Sequence, residues 1–461
     1  MTAMDGWKDR LTYVYEGGYF DMVEEETAGV PVRLFLTPSL LKELEDSVRA
    51  QIITAAGFPG VKLVVITPDV HHGYGVPVGC AIVSDSDEGA VALGPVGFDI
   101  GCGMVSLRSD VPAEAATEER RLAFNRAVMQ RVNMGMGERG VGYLSGIGRP
   151  EFERLIRGGA DYYAATYGEK IDRSKAERNC IPVEDRWQLP ASRADRGISQ
   201  LGSLGSGNHF IELQRSEQTE TLFVQIHTGS RGFGHGLAEY YFKVAKDEQP
   251  DVIQHLDEAW FGAESPGRWE YLAAVAAGGN YAIINRLVIA EEVSAAFRKV
   301  FDADLELVYE ISHNLVQREW HPDYGWVNVH RKGATRAFPA GHPQLEGTTW
   351  FDTGHPVLIP GSNHDWSYIL RPTDSAKSAY TVNHGAGRRM SRTAAKKRLD
   401  QETVNKEYRD AGIVVNLDRE VPIDESGAAY KSSKSVIAAI TRAGLAEVEH
   451  RLWPLASLKG L

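Results

Sequence analysis

Residues 94–103 read Gly-Pro-Val-Gly-Phe-Asp-Ile-Gly-Cys-Gly, placing Asp99 and Cys102 three residues apart in a frame of glycines and a proline. Each glycine costs about 1 kcal/mol against alanine inside a helix, so the stretch is expected to be a shaped loop carrying two metal-competent side chains. A lone Asp-x-x-Cys would read as a tight turn with a buried thiol. Three downstream motifs change that balance: GSGNHF at 205–210, HTGSRGFGH at 227–235 and SHN at 312–314 each set a histidine among glycines or asparagines.

Working outward, Ala90–Leu93 is a short strand delivering the loop, and 104–107 continues as a strand beyond it. The run VKLVVITPDV at 61–70 predicts another buried strand, entering His71-His72-Gly73-Tyr74-Gly75. A helix is expected over 37–57, with Thr37 as N-cap, Pro38 at its first position, Leu40, Leu44, Val48 and Ile52 on one face and Gly57 as its stop. Residues 113–135 and 151–167 read as polar-faced helices without evident chemistry. TLFVQIHTGSRG at 221–232 is a strand opening into a glycine turn. The apolar stretch 271–300 is helical despite Gly278-Gly279, with Asn280, Asn285 and Arg286 on one side. LELVYEISHN at 305–314 is a strand ending in a polar loop, and a last helix is expected over about 433–450 before an extended tail. Helices and strands mix without regular βαβ alternation, so the expected fold is α+β, one large domain over 1–461.

Composition bounds the function. With 461 residues, 43% hydrophobic and 24% charged, the chain has the profile of a globular enzyme. The 47 glycines cluster in motifs, which points to many shaped loops on one scaffold. A net charge of −12 means that any nucleic acid must be held by a local basic patch. Cys80, Cys102 and Cys180 are too few for a disulfide framework, and the first residues lack an apolar leader core, so a cytoplasmic location is expected.

Thiolate, imidazole and carboxylate together suit a borderline divalent cation. Asp99, Cys102, His209, His227 and His313 are enough for two ions, and a bridging Cys102 thiolate would fit the roughly 3.5–4 Å spacing of two-metal phosphoryl-transfer sites. Asn383-His384-Gly385-Ala386-Gly387-Arg388 is the candidate nucleophile loop: small neighbours admit a phosphate, and a neutral histidine attacks phosphorus well. HRKGATR at 330–336 has a similar phosphate-binding character. Pro360-Gly361-Ser362-Asn363 is a turn whose amides could cradle phosphate. Neither G-x-x-x-x-G-K-[ST] nor a strand-framed G-x-G-x-x-G occurs, which excludes the ordinary nucleotide folds.

These motifs, in order, resemble the RtcB family of RNA ligases: PDVHHGYGVPVG, GPVGFDIGCG, GSGNHFIE, HTGSRGFGH, SHN, VHRKGATRAFP, LIPGS, NHGAGRRMSR and the terminal Lys459-Gly460. The resemblance runs from about residue 37 to the end. It implies joining of an RNA 3′-phosphate or 2′,3′-cyclic phosphate to a 5′-hydroxyl with GTP and Mn²⁺, in RNA repair or tRNA splicing. Cys102 would bridge two Mn²⁺ ions, one completed by His209 and His227 and the other by Asp99 and His313. His384 would carry GMP as a phosphoramidate. The guanosine pocket would comprise Asn208, His209, Phe210, Ile211, Glu212, His313, Asn314, Pro360, Gly361, Ser362, Asn363, Ser367, His384, Gly385, Ala386, Gly387, Tyr430 and Lys459. Arg193, Arg196 and Arg231 would contact RNA phosphates, and an archease-type activator is a further partner to test. The alternatives are a two-metal phosphoesterase and a non-catalytic RNA-binding paralogue; covalent capture of GMP separates the first reading from both.

The chain departs from the family pattern at His72, where Trp is common, at Asn383, where Cys is common, and at Asn363-His364-Asp365-Trp366, where small residues are usual. Trp366 is expected to offer a stacking surface beside the RNA end.

Overall fold

Strand Val61–His71 explains its own unbroken apolar run. Leu63 and Val65 face a core shared with a second sheet, while Val64 and Ile66 face the helices near the N-terminus, so both faces are buried. The computed structural model describes residues 6–22, 25–135, 144, 146–167, 175 and 181–460; Cys180 lies outside them. Helix and sheet are mixed as an α+β fold.

Two sheets build the scaffold. The first runs in the order Thr12–Val14, Tyr19–Met22, Val32–Leu34, Val61–His71, Val78–Asp85, Gly325–Lys332, Asn314–His321. The second runs Glu306–Ser312, Gly103–Pro112, Thr221–Thr228, Phe210–Ser216, Ala446–Lys459, Ser367–Pro372, Val357–Ile359, with Val414–Val415 pairing alongside Ala446–Lys459. Val327 and Val329 of the first pack with Val357 and Leu370 of the second. The other face of the second sheet, including Val105, Leu107, Ile211 and Val224, packs against helix Gly267–Phe301. That helix is long and apolar enough to cross a membrane, but 94% of its most apolar window is buried inside the protein.

The metal-competent loop is the reason for Gly278-Gly279. Gly101 has φ +73°, and a Cβ there would lie 2.8 Å from the Ala282 Cβ and 3.0 Å from the Gly279 Cα. A Cβ on Gly278 would meet Ile100 at 3.0 Å. The two helix glycines let the loop rest on the helix backbone.

Several expected boundaries move. The 37–57 helix is two helices, Pro38–Glu43 and Val48–Ala56, broken at Leu44. A straight helix would turn residues spaced by four through about 40° each step, so Leu40 and Ile52 could not share one face; the break keeps Leu40, Leu44, Val48 and Ile52 all buried. Thr37 caps as expected, accepting from the Leu40 N–H. Over 113–135 the chain forms a short 3₁₀ turn, Ala113–Ala115, and a helix, Glu118–Met129. The expected 90–93 strand shortens to Val91–Ala92. The final helix ends at Arg442, because Gly444 takes φ +65° and starts strand Ala446–Lys459.

Candidate active site

The pairing register of the second sheet assembles the donors. Gly103 pairs with Thr228 and with Ser312, and Met104 and Phe210 both pair with His227. Cys102, His227, His313 and His209 therefore meet at one end of four adjacent strands. His313 is the single residue between Glu306–Ser312 of the second sheet and Asn314–His321 of the first. Its N–H donates to the Cys102 carbonyl at 2.7 Å.

The donor atoms fall into two triads, Asp99–Cys102–His209 and Cys102–His227–His313, each within 4.8 Å. Cys102 Sγ belongs to both. The partition differs from the expected one: Asp99 goes with His209, and His227 with His313. The His209 Nε2 lies 3.1 Å from Asp99 Oδ2, and the His227 Nε2 lies 3.2 Å from that of His313. Sheet register sets this, because His227 and His313 flank the Gly103 strand on opposite sides.

The donor set fits cations. The Nδ1 atoms of His209 and His227 point at the carbonyls of Leu204, 3.0 Å, and Asn208, 3.2 Å. Each Nδ1 is thereby engaged with the backbone, and each Nε2 faces Cys102 Sγ, at 3.5 and 3.3 Å. Burial holds His227 and His313 well below the usual imidazole range, so they are neutral. Burial, with the Asp99 carboxylate, raises the Cys102 thiol well above its ordinary value. Burial also opposes ionisation of Asp99, yet hydrogen bonding and charge from His209 carry it below the ordinary carboxylate value.

A cavity of about 340 Å³ opens beside these triads, lined by His384 and Gly385–Arg388 on one wall and Asn208, Phe210, Tyr430 and Lys459 on another. His384 follows strand Thr381–Asn383, which pairs with Ala334–Arg336. Its Nδ1 is 2.6 Å from Asp69 Oδ2, and the same oxygen accepts from the N–H groups of His384 and Gly385. Asp69 is fully buried; burial raises its pKa, but the His384 charge and hydrogen bond and the Thr67 hydroxyl bring it below the ordinary carboxylate value. Gly333, φ +56°, leaves room for the ring, since a Cβ there would lie 2.9 Å from His384 Cε1.

Of the expected nucleotide residues, Asn208, Phe210, His313, Asn314, Pro360, Gly361, Ser362, His384, Gly385, Ala386, Gly387, Tyr430 and Lys459 line the cavity. His209 stands behind them in the Asp99 triad. Ile211 faces away into the core around the long helix, as strand alternation from Phe210 requires. Glu212 is buried beneath, accepting from Gln214 Nε2 at 2.6 Å, and burial pushes its pKa up to about 7. Ser367 supports the turn: its hydroxyl accepts from the Gly361 N–H at 3.0 Å. Asn363 is outside the lining and accepts from the Tyr408 hydroxyl.

Trp366 is not the expected stacking surface. It packs at 5.1 Å on Trp453 with the Arg451 guanidinium 4.4 Å over its ring. His364 lies on Tyr408, and Asp365 Oδ2 accepts from the Ser433 N–H at the start of Ser433–Arg442. The bulk of 363–366 thus braces the phosphate-type turn from behind. Asn383 acts similarly, donating to the Gly385 carbonyl at 2.8 Å, and His72 is exposed.

The glycine turn expected at the end of 221–232 is short, and helix Arg231–Glu248 begins within it. Its glycines admit the arginines of Ala191–Gln200: a Cβ on Gly232 would meet Arg196 at 2.2 Å, and one on Gly236 would meet Arg193 at 2.9 Å. Arg231 Nη1 reaches His209 Nδ1 at 3.3 Å. Two residues that shape the site carry no role in the sequence pattern: Asp69, whose one signal is the strand-to-glycine transition of the PDVHH run, and Arg286 of the long helix. Within the basic stretch 330–336, Lys332 lines the cavity, donates to the carbonyls of Tyr74 and Val76, and is lowered by burial to about 8.

The site is of the class with a metal-competent, loop-built centre beside a carboxylate-held histidine. Residues 51–460 match the family described as tRNA-splicing ligase RtcB. Similar proteins include the tRNA-splicing ligase RtcB of Pyrobaculum aerophilum, 34% identical over 94% of this chain and 95% of its own. Another is the RNA-splicing ligase RtcB of Mycobacterium tuberculosis, 33% identical over 89% of this chain and 100% of its own. The chain belongs to the RtcB family.

Proposed function

We propose that the whole chain, 1–461, acts as a cytoplasmic RNA ligase joining 3′-phosphate or 2′,3′-cyclic phosphate ends to 5′-hydroxyl ends, with GTP and Mn²⁺, in RNA repair or tRNA splicing. The observation that carries this reading is His384 anchored through Nδ1 on buried Asp69 while lining the cavity beside both triads. That leaves Nε2 as the nucleophile.

Asp99, Cys102 and His209 would hold one Mn²⁺, and Cys102, His227 and His313 the other; bound there, the ions supply charge neutralisation and Lewis-acid polarisation of phosphate oxygens. His384 Nε2 attacks the α-phosphorus of GTP. The P–N bond forms as the bond to the β-phosphate oxygen breaks, and pyrophosphate leaves. Asp69 balances the positive charge the imidazole acquires. A 2′,3′-cyclic end is first opened by water, which adds to phosphorus as the P–O2′ bond breaks and the 2′-oxygen takes up a proton. An oxygen of the resulting 3′-phosphate then attacks the same phosphorus of the adduct, freeing His384 and leaving GMP on the RNA end. The 5′-hydroxyl attacks the RNA phosphorus, its proton is released, and GMP departs with the electron pair of its bond. The side chains of Lys459 and Arg388, which line the cavity, receive phosphates and base. An archease-type activator is the accessory partner of this reading.

Incubation with α-labelled GTP and Mn²⁺, then denaturation, tests it. An acid-labile, alkali-stable adduct on His384 is expected, absent in His384→Ala. Guanylate on a lysine, or none, overturns the reading.

A further inference from the structure

The cavity mouth carries aromatic rings that the chemistry above does not use. Phe98, between Gly97 and the Asp99 donor, lines the cavity and is half-buried. Buried Phe242 lies beneath it at 5.2 Å. Tyr74 meets it on one side, 5.2 Å between centroids, and His235 stacks on it at 5.1 Å with planes only 25° apart.

Tyr74 is 43% exposed and the His235 side chain 49%, so two rings stand open to solvent beside Phe98 at the cavity. Tyr74, Phe98 and His235 come from three separate elements: the turn after Val61–His71, the metal-competent loop and helix Arg231–Glu248. Their placement is built in. The Tyr74 carbonyl accepts from Lys332 Nζ, and a Cβ on Gly75 would lie 2.0 Å from the Asp257 oxygen. Glu239 lies 3.7 Å from His235, and the Arg193 guanidinium lies against Gly236 next in sequence.

We propose that Tyr74, Phe98 and His235 form a ledge that stacks the unpaired terminal nucleobase of an RNA end at the cavity. Three features favour a nucleobase. The rings are flat and partly open, they continue directly into the cavity at Phe98, and Arg193 supplies a cation for the adjoining phosphate. The ledge rests on the ligase reading for its substrate and assigns the positioning of that substrate to residues outside the metal triads and the His384 loop. Base stacking on aromatic residues is sequence-tolerant, so the ledge recognises any base and rejects its absence.

The test compares two RNAs identical except that one lacks the base on its terminal nucleotide, made once for the 3′-phosphate strand and once for the 5′-hydroxyl strand. Binding to the metal-loaded protein is read by fluorescence anisotropy without GTP, so that it does not depend on guanylylation. Self-guanylylation is scored in parallel, so loss of the ligase reading shows there and not in the binding ratio. Base removal is expected to weaken binding of one strand by about tenfold or more, on the scale of one stacking contact. The double variant Tyr74→Ala/His235→Ala should bring that ratio close to one, and Tyr74→Phe should keep it. A second reading uses the unaltered protein: 2-aminopurine at the terminal position should be quenched on binding. Equal binding of base-bearing and abasic ends, an undiminished ratio in the double variant, or unquenched 2-aminopurine would each overturn the proposal.

Discussion

Arg286 Nη1 donates to the Gly101 carbonyl at 2.6 Å, and Gly101 is the residue before Cys102. The same nitrogen reaches the Thr228 carbonyl, just after His227, and Nη2 donates to Ser312 Oγ, just before His313. One fully buried guanidinium therefore ties together the three backbone segments that present the shared thiol and its two histidine partners. Glu310 pairs with its Nε at 2.6 Å.

Arg286→Met should therefore do two separable things. It leaves Glu310 buried without its cation, which costs about 3–5 kcal/mol, read by chemical denaturation. It also releases the three segments. Arg286→Met/Glu310→Met should recover much of the stability while Mn²⁺ affinity stays depressed; full recovery of both would show that Arg286 has no positioning role.

Cys102→Ala should lose both ions, because Sγ belongs to both triads. His227→Ala removes a donor from one triad and should leave the Asp99–His209 side able to bind. Metal counted by mass spectrometry after gel filtration distinguishes the two variants. Normal Mn²⁺ stoichiometry in Cys102→Ala would end the bridging assignment.

Asp69→Asn should slow formation of the His384 adduct by about 10²-fold or more, since the carboxylate fixes the ring tautomer and stabilises the cation formed on attack. Metal content should stay normal, as Asp69 belongs to neither triad. Single-turnover guanylylation measures the rate.

Glu212 makes stability depend on pH with an unusual sign. Its pKa rises from 4.5 to about 7 on folding, chiefly through burial. Between those values the folded state keeps a proton that the unfolded chain has released. Stability therefore falls as pH rises through this window, and the penalty is complete above about 7. Glu212→Gln removes the titration. The variant's stability relative to the unaltered protein should grow by roughly 2–3 kcal/mol from pH 4.5 to pH 8, measured by denaturant unfolding. A difference independent of pH would contradict the buried ionisable state.

The sequence by itself determined the inventory of metal-competent side chains and the small-residue loop around His384. Glycines and asparagines around Asp99, Cys102, His209, His313 and His384 favour shaped turns there, and that preference is local. It determined most strands and the long helix too, because apolar runs and periodicity act over neighbouring residues. Tertiary structure decided how the donor atoms group into two triads, because that depends on which strands lie side by side in the second sheet. It decided that Asp69 holds His384 across 315 positions of chain, that Arg286 is the tie beneath the loops, and that Trp366 turns towards Trp453 and not the cavity. Such contacts are selected by sheet register and by which face of a strand is buried, and one strand's own residues do not specify its neighbour.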